Sequence, residues 1–378
     1  MNPISVTLVG SSPWDRDLHA GDVNLRPALA LAERLGGPYN VIVPAGGAGC
    51  GLTDLGPVRL YRAGGRNRPA FLRAARLVID RGLPARADVL MSSDPLAAVS
   101  VELSRERRRT PHIFQVQGDV LDPGREYGSL LRRVTLGAVS RSAARRASAI
   151  RVVSQGLGDR ARRWARGPVV YVPSRVDTRV FSPAPAGSPK PVHVVMVGSL
   201  CVRKNHAAVV RAWPAVVRAV PGARLVILGE GPARSELRAL AAALGVERHV
   251  ELRGQVTQDD IVSVLRQSRV LAHPSWSEGQ PRAVLEAMAC GLPVLCSDIS
   301  SHREIVRPGY GRLLAPGSPH DWGEAIASLL TDQDRAHRMG LDARHHVCEH
   351  HDFEAMMDRF AEFVRDVTSG HPAKERVA

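Results

Sequence analysis

The chain has 378 residues, of which 44% are hydrophobic, 23% charged and 4% aromatic. At roughly 100–200 residues per domain this suggests two domains, each long enough to bury a sizeable core. Collagen-like, low-complexity and cysteine-stapled secreted classes are excluded, and no uninterrupted apolar stretch approaches the ~20 residues that span a bilayer.

The formal net charge of +14 is lopsided. Residues 1–187 carry 28 Arg, no Lys and 15 acidic residues, a net +13; residues 188–378 carry the other 23 basic and 22 acidic residues, a net +1. Such a field attracts phosphates, nucleic acid or an anionic membrane surface. Lys190, Lys204 and Lys374 are the only lysines. Genomic base composition accounts for Arg over Lys, but not for one half being basic. The basic stretches 105–109 and 130–166 hold Trp164 as their sole aromatic and no known reading module. This speaks against nucleic acid and leaves an anionic membrane or acceptor as the partner the first half suits. The N-terminal MNPISVTLVG has no basic segment ahead of its apolar stretch, so a cleaved leader is not expected. Cys50, Cys201, Cys290, Cys296 and Cys348 form no C-x-x-C pair. Reduced thiols in a cytoplasmic protein are expected, peripheral at the inner face of the plasma membrane where the basic half engages it.

Along the chain, short apolar runs at 6–9, 41–43, 89–91, 113–116, 150–153 and 169–172 read as strands. They alternate with helical patterns at 25–35, 72–80, 96–109 and 130–147. The Pro-rich segment 181–191 reads as a linker. The pattern then restarts, with strands at 192–197, 224–228, 250–252, 270–272 and 294–297 and helices at 207–220, 233–244, 259–267, 282–290 and 321–330. Buried strands alternating with helices predict two α/β domains, each a doubly wound parallel sheet. The expected division is a basic Rossmann-like domain at 1–187, a second Rossmann-like domain at 188–350, and a final helix over 351–378 that returns to the first. Ligands of such sheets bind beyond the carboxyl ends of the strands, here expected in a cleft between the domains.

The chemistry-bearing segment is HPSWSEGQPRAVLEAMACGLPV. Glu278 sits in a loop and Glu286 eight positions later, inside a helix. Gly279 and Pro281 shape the turn. Free amides of the first helical turn, near Arg282, make an anion site. Two carboxylates beside an anion site suit a ligand whose hydroxyls flank its phosphates, which is the layout of a nucleotide sugar. A second piece, Gly198 to Asn205 (GSLCVRKN), comes directly after the restarted pattern's first strand. Gly198 permits a tight turn and Lys204 offers a point charge to a diphosphate.

With these residues the second half resembles the glycosyltransferase family 4 type, which has the two-domain GT-B fold. The resemblance rests on VGSLCVRKN at 197–205, LVILGEGP at 225–232, VELRGQV at 250–256, SEGQPRAVLEAMACGLPVLCSD at 277–298 and EIVRPGYGRLLAPGSP at 304–319. The first half is similar through DPLAA, FQVQGD, IRVVS and VPSRVDTRVFSP. The resemblance implies a retaining transferase that moves a sugar, hexose-type, from a UDP- or GDP-sugar to a hydroxyl acceptor, with no cofactor and no metal. Glu278 is then expected to hold donor-sugar hydroxyls and Glu286 the ribose. Lys204 takes the leaving diphosphate, and the backbone at Gly279, Gln280, Pro281 and Arg282 touches sugar or phosphate. Gln255 and Val256, with Gly229 and Gly231, border the base. Gly21 and Asp22 form the first domain's loop near the diphosphate, and Gln117 and Asp119 lie on the acceptor side. Two positions depart from the family pattern. Ser199 stands where many relatives carry Arg, with Arg203 as the compensating candidate. Gln117 stands where many carry His, and it can hydrogen-bond but cannot act as a base.

Other signals carry bland readings. Asp15-Arg16-Asp17 spells D-x-D but reads as a solvated loop. His345, His346, Cys348, His350 and His351 read as a polar helix, because no second pair completes a zinc pattern. Cys290 and Cys296 read as small core residues. A lipid-linked or polysaccharide acceptor at a membrane uses the basic half, whereas a small soluble acceptor such as an aminocyclitol leaves that charge incidental. A non-catalytic sugar-nucleotide or polyanion binder and a phosphorylase are the remaining readings. Intact Glu278, Glu286 and Lys204 argue against the former. The lack of a cofactor-lysine motif argues against the latter.

Overall fold

A computed structural model describes residues 2–11, 25–45, 49–65, 67–82, 86–124, 127–185, 187–191 and 193–370. The chain divides into two compact units, one reaching to Pro173 and resuming at Ala355, the other spanning Ser174–Glu354. The division precedes the Pro-rich 181–191 segment because Val176 and Phe181 already pack into the second unit's core. Val176 N–H donates to the His351 carbonyl at 2.9 Å, and the Thr178 hydroxyl donates to Asp352 at 2.8 Å.

The first unit contains β1 (Ile4–Val9), α1 (Arg26–Leu35), β2 (Gly36–Pro44), β3 (Gly51–Leu55), β4 (Val58–Ala63), α2 (Arg68–Asp80), β5 (Val89–Ser92), α3 (Pro95–Glu102), β6 (His112–Val116), α4 (Leu130–Arg146), β7 (Ala149–Val152), α5 (Gln155–Arg162) and β8 (Val169–Tyr171). The second contains β9 (Val194–Val197), α6 (His206–Ala219), β10 (Leu225–Leu228), α7 (Arg234–Ala243), β11 (Val250–Gly254), α8 (Gln258–Arg266), β12 (Val270–His273), α9 (Arg282–Ala289), β13 (Val294–Ser297), α10 (Ser300–Ile305), β14 (Gly311–Leu314), α11 (Pro319–Thr331) and α12 (Gln333–His350). A last helix, α13 (Phe353–Ser369), starts in the second unit and runs into the first.

Among the described residues the first sheet has the order β3-β4-β2-β1-β5-β6-β7-β8 and the second β11-β10-β9-β12-β13-β14. Every pairing is parallel except β3 with β4. That hairpin is absent from the sequence reading because its first strand, GLTDL, is short and largely exposed. Helices α5 and α10 and strand β14 were also not anticipated. Gly156, Gly158 and two arginines hide the helical period of α5, which is nucleated by the Ser154 hydroxyl accepting from Leu157 N–H at 3.4 Å.

Side-chain alternation explains why the second sheet is covered on both faces. Val194, Met196, Leu225, Ile227, Val270 and Ala272 face one core with Trp213 of α6 and Trp322 of α11. Val195, Val226, Leu228 and Leu271 face the other with Val284 and Met288 of α9 and Val347 of α12. In the first unit, Phe114, Ile150 and Val152 meet Ala143 and Ala144 of α4. Val9, Ile42 and Leu90 meet Phe71 and Ile79 of α2. Helix α13 is fastened there by an Arg34–Asp358 ion pair at 2.7 Å and by the Arg151 guanidinium 4.5 Å above the Phe360 ring.

A hydrogen-bonded chain runs from Ser92 through His112 to Glu102, at 2.8 and 2.6 Å. Ser92 and His112 are fully buried, so the chain ties α3 to β5 and β6 rather than serving a substrate.

The topology fixes where a site can form. In the second unit the strand order reverses between β9 and β12, the switch point where open α/β sheets bind ligands. Trp322 is fully buried in the core beneath it. Trp322→Ala should destabilise the second unit by about 3–5 kcal/mol, read as a lowered urea midpoint; a loss below about 1 kcal/mol would contradict this packing.

Candidate active site

Strand β9 ends at Gly198, whose φ is 151°. A Cβ there would lie 3.3 Å from Lys204 Cε and 3.6 Å from Lys204 Nζ, so the missing side chain is the space the lysine occupies. Gly229 (φ 144°) follows β10, and a Cβ there would collide with the Gly198 carbonyl. The two loops are laced backbone to backbone: Leu200 N–H donates to Glu230 O at 2.9 Å, and Ala233 N–H to Leu200 O at 3.0 Å. A Cβ at Gly231 would likewise collide with the Leu200 carbonyl. Gly229 and Gly231 therefore permit loop-to-loop contact, a role the sequence reading did not assign them.

A single 3-10 turn, Val202–Lys204, comes next and stops at Asn205. Asn205 is the one non-glycine residue with positive φ (51°) among the described residues. Its amide donates to the carbonyls of Pro274 (3.1 Å) and Pro316 (2.9 Å). Trp276 N–H donates to the Arg203 carbonyl at 2.8 Å. These contacts bind the turn after β9 to the loop after β12, which is how residues distant in sequence are brought together.

The result is one carboxylate held by two cations. Lys204 Nζ donates to Glu278 Oε1 at 2.7 Å, and Arg203 to Glu278 Oε2 at 3.2 Å. Arg203 also donates to the Ser277 carbonyl at 2.9 Å. The Glu278 side chain is 7% exposed. Burial works to raise its pKa, but the hydrogen bond from His273 and the charges of Lys204 and Arg203 outweigh it. The carboxylate is held well below its usual range.

Behind Glu278 lies a buried set of imidazoles. His273, the last residue of β12, places Nε2 3.2 Å from Glu278 Oε1 and 3.2 Å from the Ser275 hydroxyl. The ring edge of His302 lies against His273, with centroids 5.4 Å apart. Nδ1 of His302 donates to the Ser297 carbonyl at 2.7 Å. His206 opens α6 directly after Asn205. Burial, then the neighbouring His273, pulls His206 and His302 down to about 3, and burial also lowers His273. All three are neutral near pH 7, so positive charge in this loop cluster comes from Lys204 and Arg203. These histidines escape a motif search because they lie far apart in the sequence, at 206, 273 and 302, in three unlike local contexts.

Helix α9 starts at Pro281, which offers no side-chain cap for the first-turn amides. Glu286, one turn into α9, is buried, with Arg282 3.4 Å from its Oε1. Burial pushes its pKa up, against the pull of Arg282. Gly279, Gln280 and Pro281 are buried. Gln280 accepts from Ser174 N–H, and its Nε2 is buried without a partner among the described residues. Ser199, Gln255 and Arg282 are exposed, and Val256 packs against the core. Trp276 is 44% exposed and lies 3.5 Å from where a Gly317 Cβ would stand.

In the first unit, Gln117 is exposed immediately after β6, and Asp119 is paired with Arg160. Gly21, Asp22 and the Asp15-Arg16-Asp17 triplet lie outside the described residues. The histidines around α12 have other duties. His346 stacks on Tyr310 at 4.9 Å, and His351 Nδ1 lies 3.0 Å from the Ser174 carbonyl. Cys290 and Cys296 are buried in the core, where burial pushes the Cys290 thiol up to about 12.

The neutral histidines give a pH signature. The unfolded chain protonates His206 and His302 below about 6.5, whereas the native chain resists until about 3. Stability should therefore fall as pH drops across that window, each site adding about 1.4 kcal/mol per pH unit. Urea midpoints should decline from about pH 7 to pH 5, and His302→Gln should flatten the slope. A wild-type midpoint that does not move would contradict buried neutral imidazoles.

A model of the family described as "Glycosyl transferases group 1" matches residues 181–346, and one described as "Glycosyl transferase 4-like domain" matches residues 20–175. Among curated proteins, a GDP-mannose-dependent alpha-(1-6)-phosphatidylinositol monomannoside mannosyltransferase of Mycobacterium tuberculosis is 33% identical over 213 residues. That match spans 52% of this chain and 55% of the relative. A D-inositol 3-phosphate glycosyltransferase of Nocardia farcinica is 30% identical over 71% of this chain and 64% of its own. The chain thus matches little more than half the length of the first of these relatives. Among solved structures, a sucrose-phosphate synthase from Thermosynechococcus elongatus superposes with a TM-score of 0.81 at 19% identity, covering 97% of this chain and all of that one. Anabaena HepE, solved with UDP and glucose, gives 0.75 at 18%, covering 96% and 100%. These likenesses carry the fold: two parallel-sheet α/β units of the GT-B type. With both units matched in order, the chain belongs to the group 1, family 4-like glycosyltransferases.

Proposed function

We propose that this chain transfers a sugar from a nucleoside-diphosphate donor to a hydroxyl acceptor, with retention at the anomeric carbon. The observation that carries the reading is the charge balance around Glu278. Two cations, Lys204 and Arg203, share one carboxylate while the adjoining histidines are neutral. The cluster has a cation to spare, at a switch point and beside the uncapped start of α9. A diphosphate satisfies that surplus. Glu278 then turns its acceptor capacity to the sugar hydroxyls, and buried Glu286 takes the ribose hydroxyls.

In the transfer, the bond between the anomeric carbon and the diphosphate oxygen breaks, and the acceptor oxygen bonds to that carbon. The acceptor's proton passes to an oxygen of the departing diphosphate. Lys204 and Arg203 stabilise the negative charge that develops there, Lys204 from a largely buried position. Arg203 fills the place left by Ser199. Donor hexose on GDP or UDP is supported by the Mycobacterium tuberculosis relative, whose name specifies GDP-mannose, and by the structural neighbour solved with UDP and glucose.

The acceptor is a lipid-linked saccharide or polyol headgroup at a membrane surface. The excess of Arg in residues 1–187 supports this, as does the phosphatidylinositol mannoside acted on by the Mycobacterium tuberculosis relative. A soluble phosphorylated cyclitol is the second reading, favoured by the longer match to the Nocardia farcinica relative.

A thermal-shift screen against UDP-, GDP-, ADP- and TDP-sugars should raise the melting temperature with one base above the others. Lys204→Ala and Glu278→Gln should each cut turnover with that donor at least about a hundredfold while leaving a cooperative melt. Rates near wild type in either variant, or no shift with any donor, would overturn the assignment.

A further inference from the structure

Helix α4 is inverted relative to an ordinary surface helix. Its buried side consists of small residues, Gly137, Ser140, Ala143 and Ala144. Leu130, Leu131 and Val134 at its start are 70%, 75% and 60% exposed. A helix that serves only its own core buries its large aliphatic side chains. The other large exposed apolar residues among those described stand singly along the chain. At 100° per residue, Leu130, Leu131, Val134, Ala138 and Arg145 fall on one side of the helix.

The opposite end of that side is basic. Arg145 and Arg146 are exposed, with the Arg145 guanidinium 4.6 Å above the Trp164 ring. Arg107 donates to the Arg146 carbonyl, which brings the exposed Arg108 and Arg109 alongside. Among the described residues none of Arg108, Arg109, Arg145 and Arg146 has an acidic partner at ion-pair distance. The dipole at the helix C-terminus explains why arginines are tolerated there. It does not explain the bare leucines at the N-terminus.

We propose that this exposed side of α4 is a docking surface for an anionic bilayer. Leu130, Leu131 and Val134 enter the headgroup–acyl boundary, and Arg108, Arg109, Arg145 and Arg146 engage lipid phosphates. Leucines alone would suit many proteins, and arginines alone any polyanion. The two together, with Leu130 about 20 Å from Arg145 along α4, pair an apolar group that can insert with a basic group that can hold lipid phosphates. The net +13 of residues 1–187 supplies long-range attraction. The proposal rests on the reading that the acceptor is held at a membrane.

The test is sedimentation of the full chain with vesicles of phosphatidylcholine alone and of equimolar phosphatidylcholine and phosphatidylglycerol, without donor or acceptor. Wild type should sediment with the anionic vesicles and not the neutral ones. The double variant Leu130→Gln, Leu131→Gln should bind at least about tenfold more weakly. Arg145→Gln, Arg146→Gln should weaken binding and reduce its salt dependence. Both double variants should keep the wild-type melting temperature and the wild-type thermal shift with donor. Wild-type vesicle binding by the leucine variant would overturn the proposal. So would equal binding to neutral vesicles, or wild-type self-association abolished by the leucine substitutions. A donor shift without vesicle binding sinks the docking surface alone, and vesicle binding without a donor shift sinks the transferase reading alone.

Discussion

A single carboxylate shared by two cations is the constraint on which the second unit's loops depend. Glu278 is nearly buried and must remain ionised there. A buried carboxylate is costly unless it is paired and hydrogen-bonded, and removing one partner leaves an uncompensated charge. Lys204, Arg203 and His273 meet that demand from three directions. Their convergence forces the turn after β9 and the loop after β12 into one rigid cluster. The left-handed Asn205, tied to Pro274 and Pro316, is the backbone counterpart of the same constraint.

The parallel sheet makes that cluster available. Strands β9 and β12 are neighbours although three helices and two strands separate them in the chain. Their ends diverge at the reversal of strand order, and the loop leaving each strand stands above the sheet edge. The alternation of core-facing residues, Met196 to one side and Val195 to the other, holds the strand ends in register beneath the loops. Packing thus sets positions to the fraction of an ångström that electrostatic recognition demands.

Much of this was legible in the amino-acid order, for reasons that differ by residue. The four-residue apolar strands announced a sheet covered on both faces, because each is buried whichever way its side chains point. Glu278, Glu286 and Lys204 stood out because charged groups between apolar runs have few structural excuses. The β3–β4 hairpin did not stand out, since an edge strand half open to water lacks a sustained pattern. His206, His273 and His302 were silent for a different reason. Their burial depends on side-chain neighbours drawn from three separate segments, and no local window contains that information. The inward face of α4 likewise gave no warning: with small residues inside and its bare aliphatic side chains confined to one end, the helix has almost no amphipathic period to read.

The lacing of the loops around Gly198 and Gly229 has a practical corollary for protein engineering. Any side chain at 229 would collide with a main-chain carbonyl, and one at 198 would press on the lysine methylenes. Diversification aimed at changing what the pocket accepts gains nothing from those positions. The exposed positions Ser199, Gln255 and Arg282 have room to vary. Variation in these loops is therefore to be sought at the exposed positions while the two glycines are left untouched.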